Sequence, residues 1–125
     1  MREPEIFALR VWIYRALVKW ELMQTVSKAL VIHDPDDPHW TVSWAYVTRR
    51  ADSIEQARII LVNAIERMPS AAIFHFNLAC YECQFGDLTK AKITLHRAFR
   101  LEPQYRVMAL DDEDLKPLWE TIQGI

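Results

Sequence analysis

Apolar residues recur along this chain at helical spacing, in short stretches separated by polar breaks. Phe74, Leu78, Tyr81 and Phe85 follow one another at intervals of four, three and four, which predicts one face of a helix. Gly86-Asp87 interrupts that stripe. A second one then runs through Leu88, Ala91, Leu95, Ala98 and Phe99 toward Pro103. The stretch before it has the same form. Val47 and Ala51 close one helix, Asp52-Ser53 makes the break, and Ile54, Ala57, Leu61, Ala64 and Ile65 carry the next. The first stretch is the least regular, with Ile6, Leu9, Ile13 and Leu17 in one stripe and Trp20, Met23, Val26 and Leu30 in the other.

The three stretches are copies in phase. Pro35, Pro69 and Pro103 each stop a helical pattern, because proline lacks the amide donor, and they lie 34 residues apart. The same offset relates Val11 to Ala45 and Ala79, Trp20 to Ile54 and Leu88, Met23 to Ala57 and Ala91, and Leu30 to Ala64 and Ala98. Three units follow, 4–37, 38–71 and 72–105, each predicted to be two antiparallel helices. The alanine pairs Ala45/Ala57 and Ala79/Ala91 let the paired helices approach to the usual ~8–10 Å. One such hairpin cannot bury its apolar faces alone, so stability is expected from stacked neighbours. At the end of the chain, Leu115, Leu118, Trp119 and Ile122 predict a capping helix over about 114–123, with Asp114 as N-cap and Pro117 in its first turn.

Composition supports an all-α reading. The chain has 125 residues, 51% hydrophobic and 11% aromatic, and two glycines, Gly86 and Gly124. A β-fold would need many more glycine turns, and the length suits a single domain, 1–125. Fifteen basic against seventeen acidic side chains leave a net charge of −2, which excludes a general pull toward nucleic acid or anionic lipid. The run Asp111-Asp112-Glu113-Asp114 reads as a solvated turn or helix start. No apolar run reaches the ~20 residues of a membrane span. The start of the chain lacks the basic-then-apolar pattern of a secretion signal. Two cysteines make no disulfide framework, so a cytoplasmic setting is expected.

The third unit carries Asn77-Leu78-Ala79, Tyr81, Gly86-Asp87-Leu88, Ala91, Leu95, Ala98 and Pro103. With a period of 34, these residues resemble the tetratricopeptide repeat. The second unit resembles it through Ala45, Ala57, Leu61, Ala64 and Pro69, with Trp44 and Asp52 in place of the usual leucine and glycine. The first resembles it through Phe7, Tyr14, Trp20 and Pro35, with Met23 and Leu30 where alanines are usual. The resemblance implies an α-solenoid of helix-turn-helix hairpins wound into a right-handed superhelix. It also implies a concave groove, lined by the first helix of each hairpin, that binds a partner peptide or protein. Carried onto this sequence, the groove residues are Trp12, Arg15, His39, Val42, Tyr46, Arg49, Arg50, Ile73, Phe76, Cys80 and Cys83, with Glu5 and Ala8 beside them. The family's grip on a C-terminal carboxylate is not expected, because Ala8, Trp12, Val42 and Tyr46 stand where polar or cationic groups would be needed.

One helix points independently to a partner. Residues 72–85 are apolar almost all round, and a helix without a polar face is buried on every side. Either a partner covers Ile73, Phe76 and Cys80, or the chain's own aromatics and termini do. A partner-covered groove predicts that Phe76→Asp and Tyr46→Asp abolish binding and leave helicity intact. Little points to chemistry. Cys80-x-x-Cys83 lacks a second cysteine pair and a histidine at zinc-finger spacing, and it sits mid-helix, so it reads as two small buried residues. His33, His39, His75 and His96 share no recurrent carboxylate spacing. Asp34, Asp36 and Asp37 lack the glycine and distant glutamate of a calcium loop. No catalytic residue, cofactor or metal is assigned. The expected function is a non-catalytic protein-interaction adaptor. The alternatives are a self-associating structural module, as a homodimer, and an RNA-processing-type helical repeat. The last rests on Ala57-Arg58-Ile59-Ile60-Leu61 and Ala64-Ile65-Glu66-Arg67, which resemble half-a-tetratricopeptide repeats, although no basic stripe supports direct RNA contact.

Overall fold

The computed structural model of the chain describes residues 2–16 and 19–123, with the side chains of residues 14–16 left out. Leu17, Gly124 and the side chains of Tyr14 and Arg15, all used above, therefore lie outside the described residues. The helices are α1 (Glu3–Ala16), α2 (Trp20–His33), α3 (Pro38–Ala51), α4 (Ile54–Arg67), α5 (Ala72–Gln84), α6 (Leu88–Leu101), α7 (Tyr105–Ala109), a 3-10 helix (Glu113–Leu118) and α8 (Trp119–Gln123). The described residues contain no strand, and none of their helices is long and apolar enough to cross a membrane. The second helices of the three repeats begin at residues 20, 54 and 88, at the expected interval of 34. Helices α1 and α2 pack together, as do α5 and α6.

Local chemistry sets the boundaries. Asp37 opens α3: its carboxylate accepts the His39 N–H at 2.9 Å, and Pro38 occupies the first turn, where its missing donor costs nothing. Ser53 Oγ accepts the Gln56 N–H at 3.1 Å at the start of α4. Asp87 accepts the Lys90 N–H at 3.2 Å at the start of α6. The end of α5 needs glycine. Gly86 takes φ +83°, and the Asp87 and Gly86 N–H groups donate back to the Glu82 and Cys83 carbonyls at 3.1 and 3.0 Å. That is a Schellman motif, which satisfies two carbonyls the helix would otherwise leave open.

The chain divides into two compact units, Met1–Ile60 and Leu61–Ile125, with the division inside α4. In the first unit α2 packs against both α1 and α3. Val11, Met23, Leu30 and Val47 form its core, with Phe7, Ala8, Trp20, Val26, Trp40 and Tyr46 packed around it. Met23 and Leu30, larger than the alanines usual there, are fully buried and fill this core. Gln24 Nε2 donates to Thr48 Oγ1 at 3.2 Å and ties α2 to α3.

In the second unit α5 packs against both α6 and the 3-10 helix, which also touch each other. Ala79 and Ala91 are fully buried, as expected of the residues that allow close helix approach. The end cap differs from the single helix expected over 114–123. Asp112, not Asp114, is the cap, and its Oδ1 accepts the Asp114 N–H at 3.0 Å. Pro117 lies inside the 3-10 helix, and α-helical structure resumes only at Trp119. Leu115, Leu118 and Ile122 are buried as their stripe predicted. Trp119 Nε1 donates to the Ala109 carbonyl at 2.9 Å, which fastens α8 to α7. Helix α7 itself was not predicted, because five residues are too few to show a period.

Candidate functional site

The first unit holds an open cleft of about 420 Å³ lined by Lys19, Trp20, Glu21, Leu22, Arg50 and Ala51. Trp20 is the first residue of α2, and Arg50 lies one turn beyond Tyr46 on α3. The i, i+4 spacing brings Tyr46 and Arg50 to the same face. The Trp20 and Tyr46 rings meet edge-on, centroids 6.0 Å apart at 76°. The Arg50 guanidinium carbon lies 5.8 Å from the Trp20 ring centre and 5.6 Å from that of Tyr46. Such cation–π contacts contribute about 0.5–1 kcal/mol each at an exposed site, enough to hold the guanidinium over the rings while its outer edge stays in water. Half-buried aromatic faces beside a fixed cation suit an apolar side chain next to a carboxylate. Lys19, Glu21 and Arg50 are solvent-exposed.

A second open cleft of about 370 Å³ lies along α2, lined by Gln24, Thr25, Lys28, Ala29, Ile32 and Trp44. There Lys28 Nζ stands 5.9 Å from the Trp44 ring centre. Each cleft has one aromatic in its lining, Trp20 in the first and Trp44 in the second.

The expected groove residues separate by environment. Arg50 lines the first cleft, and Tyr46 packs against Arg50 and Trp20 beside it. Trp12 is 68% exposed on α1. His39 is exposed, and its ring lies edge-on to Trp40 at 5.1 Å. Val42 and Arg49 are half-buried, as is Ile73. Phe76, Cys80 and Cys83 are buried. The Phe76 ring packs at 5.1 Å on Tyr105, and Cys80 Sγ donates to Asp112 Oδ2 at 3.7 Å. The chain's own C-terminal segment therefore covers that part of α5. Burial pushes the Cys80 thiol pKa up, and the Asp112 and Asp114 carboxylates push it further. The Cys83 thiol is raised by burial first, then by Asp114 and Asp112.

Trp20, Lys19 and Leu22 line the first cleft and are not among the expected groove residues. Trp20 stands where the other repeats carry Ile54, which is half-buried, and Leu88, which is exposed, and only the packing of α2 on α3 shows its ring facing Arg50. A tryptophan where the repeat has isoleucine and leucine was the available signal.

An all-α array of helix hairpins carrying an open aromatic and cationic cleft defines a helical-repeat protein. The fold is shared with PcrH, whose crystal structure was solved in complex with the chaperone binding region of PopB. The TM-score is 0.67 at 19% identity, over 99% of this chain and 96% of PcrH. No protein-family model matches the chain, and no curated protein matches it in sequence.

Proposed function

We propose that this chain is a tetratricopeptide-like binding module that holds a segment of a partner protein without catalysing a reaction, and that its contact surface centres on Trp20, Tyr46 and Arg50. The observation that carries the reading is the cleft itself. Trp20 and Arg50 line it, with Tyr46 packed against both, and aromatic and arginine side chains are the residues that dominate binding energy at protein interfaces. The fold shared with PcrH, crystallised with a region of another protein, supports the same class of function. Pre-positioned rings favour affinity because little side-chain freedom remains to be lost on binding. The two cysteines are free thiols, in keeping with a reducing, cytoplasmic setting. Peptide-display selection against the protein, counter-selected with a Tyr46→Asp/Arg50→Glu variant, tests the reading. The selected peptides should carry an apolar residue next to an acidic one and should lose at least ~10-fold in affinity, about 1.4 kcal/mol, for the variant. Peptides that bind both proteins equally would remove the cleft from the function.

One observation favours self-association as a second reading. Helix α1 exposes Ile6, Leu9 and Ile13 along one face and Trp12 beside it, and a surface helix with an apolar outer face commonly pairs with a copy of itself. Sedimentation over a hundredfold concentration range decides: a monomer throughout rules it out.

A further inference from the structure

The second unit brings together side chains that stand far apart in sequence. Cys80 and Cys83 lie one turn apart on α5, and both are buried. The packing of α5 on the 3-10 helix sets Asp112 and Asp114 against them. The Cys80 Sγ and one carboxylate oxygen from each aspartate all lie within 4.8 Å of one another. We propose that Cys80, Asp112 and Asp114 bind a borderline-soft divalent cation of the Zn²⁺ class, with water in the fourth position.

Three observations carry the proposal. The first is spacing. A tetrahedral zinc with ligands at the usual lengths places a sulfur and an oxygen ~3.6 Å apart, and Cys80 Sγ lies 3.7 Å from Asp112 Oδ2. The second is division of labour within Asp112. Its Oδ1 caps the 3-10 helix, which leaves Oδ2 directed at the thiol. Capping uses one carboxylate oxygen of Asp112, and the other faces the buried Cys80 sulfur. The third is electrostatic. Two carboxylates beside a buried thiol make an arrangement of like charge that a dication offsets. A bound cation inverts the local preference, so that the coordinating thiol gives up its proton to solvent as the metal enters. The thiol selects against calcium and magnesium, which take oxygen ligands. Residues of α5 and the C-terminal segment would then be joined by the metal as well as by packing.

The test uses the full chain, reduced and stripped with chelator, titrated with Zn²⁺ alone by calorimetry and with Co²⁺ alone by absorption. One Zn²⁺ per chain is expected, with a thiolate-to-cobalt charge-transfer band. Groups that only orient a metal ligand cost ~10–100-fold in affinity, so Cys80→Ser and Asp114→Asn should each cost more. Cys80→Ser should also remove the band while Cys83→Ser keeps it. Circular dichroism of the metal-free variants checks that they remain folded. The proposal is overturned if the band is absent from the wild type. It is equally overturned if zinc affinity survives both Cys80→Ser and Asp114→Asn, which would place the metal on surface histidines.

Discussion

Phe76→Asp distinguishes a core residue from a groove residue. The sequence pattern allowed Phe76 to face a partner, in which case an aspartate would spare the fold. In the structure Phe76 is 7% exposed, and its ring is tilted at 51° against Tyr105. Removing a buried phenylalanine side chain costs about 3–5 kcal/mol. Losing the aromatic pair adds about 0.5–1.5 kcal/mol. A carboxylate left in its place adds an effective penalty of several kcal/mol more. The sum approaches or exceeds the ~5–15 kcal/mol that holds a domain of this size together. Phe76→Asp should therefore unfold the second unit outright, with a large loss of far-ultraviolet circular dichroism. Phe76→Ala should fold with a urea midpoint lowered in proportion to about 3–5 kcal/mol. Tyr46→Asp, at a half-buried surface position, should keep most of the wild-type helicity. If Phe76→Asp retains wild-type helicity and midpoint, the C-terminal segment does not cover α5 and the packing described here is wrong.

Two further outcomes follow from local features. Gly86→Ala meets no neighbouring atom, so its cost is purely that of a side chain at φ +83°, about 1–2 kcal/mol by urea titration; an unchanged midpoint would show that the α5–α6 turn relaxes freely. Both thiols, buried and raised in pKa, should react with a disulfide reagent far more slowly than in urea, even with chelator present. Bringing the pH to about 9, where an ordinary thiol is largely ionised, should leave them slow, because the thiolate forms only above the raised pKa; fast native reaction there would contradict their burial.

Much of the local structure is legible in the chain. The 34-residue period, the proline stops and the helix breaks at Asp52-Ser53 and Gly86-Asp87 depend on residues within one turn of each other. Backbone propensity and capping act over that same range, which is why α2, α4 and α6 begin where the pattern places them. The aspartates at 37 and 87 and the glycine at 86 each announce a boundary by a bond to a neighbour two to five residues away.

Contacts made across distance were not legible. An apolar α5 declares that it will be covered but not by what, since burial by one's own chain and burial by a partner leave the same hydrophobic pattern. Tyr105, Asp112 and Leu115 supply the cover from 25 residues or more further along. The same holds for the cleft, where Trp20 faces Tyr46 and Arg50 only because α2 packs on α3. It also holds for Cys80, which meets Asp112 at a separation of 32 residues. Periodicity reports which face of a helix is apolar. Which side chains share that face's surroundings is decided by tertiary packing, because packing alone brings residues distant in sequence within a few ångströms.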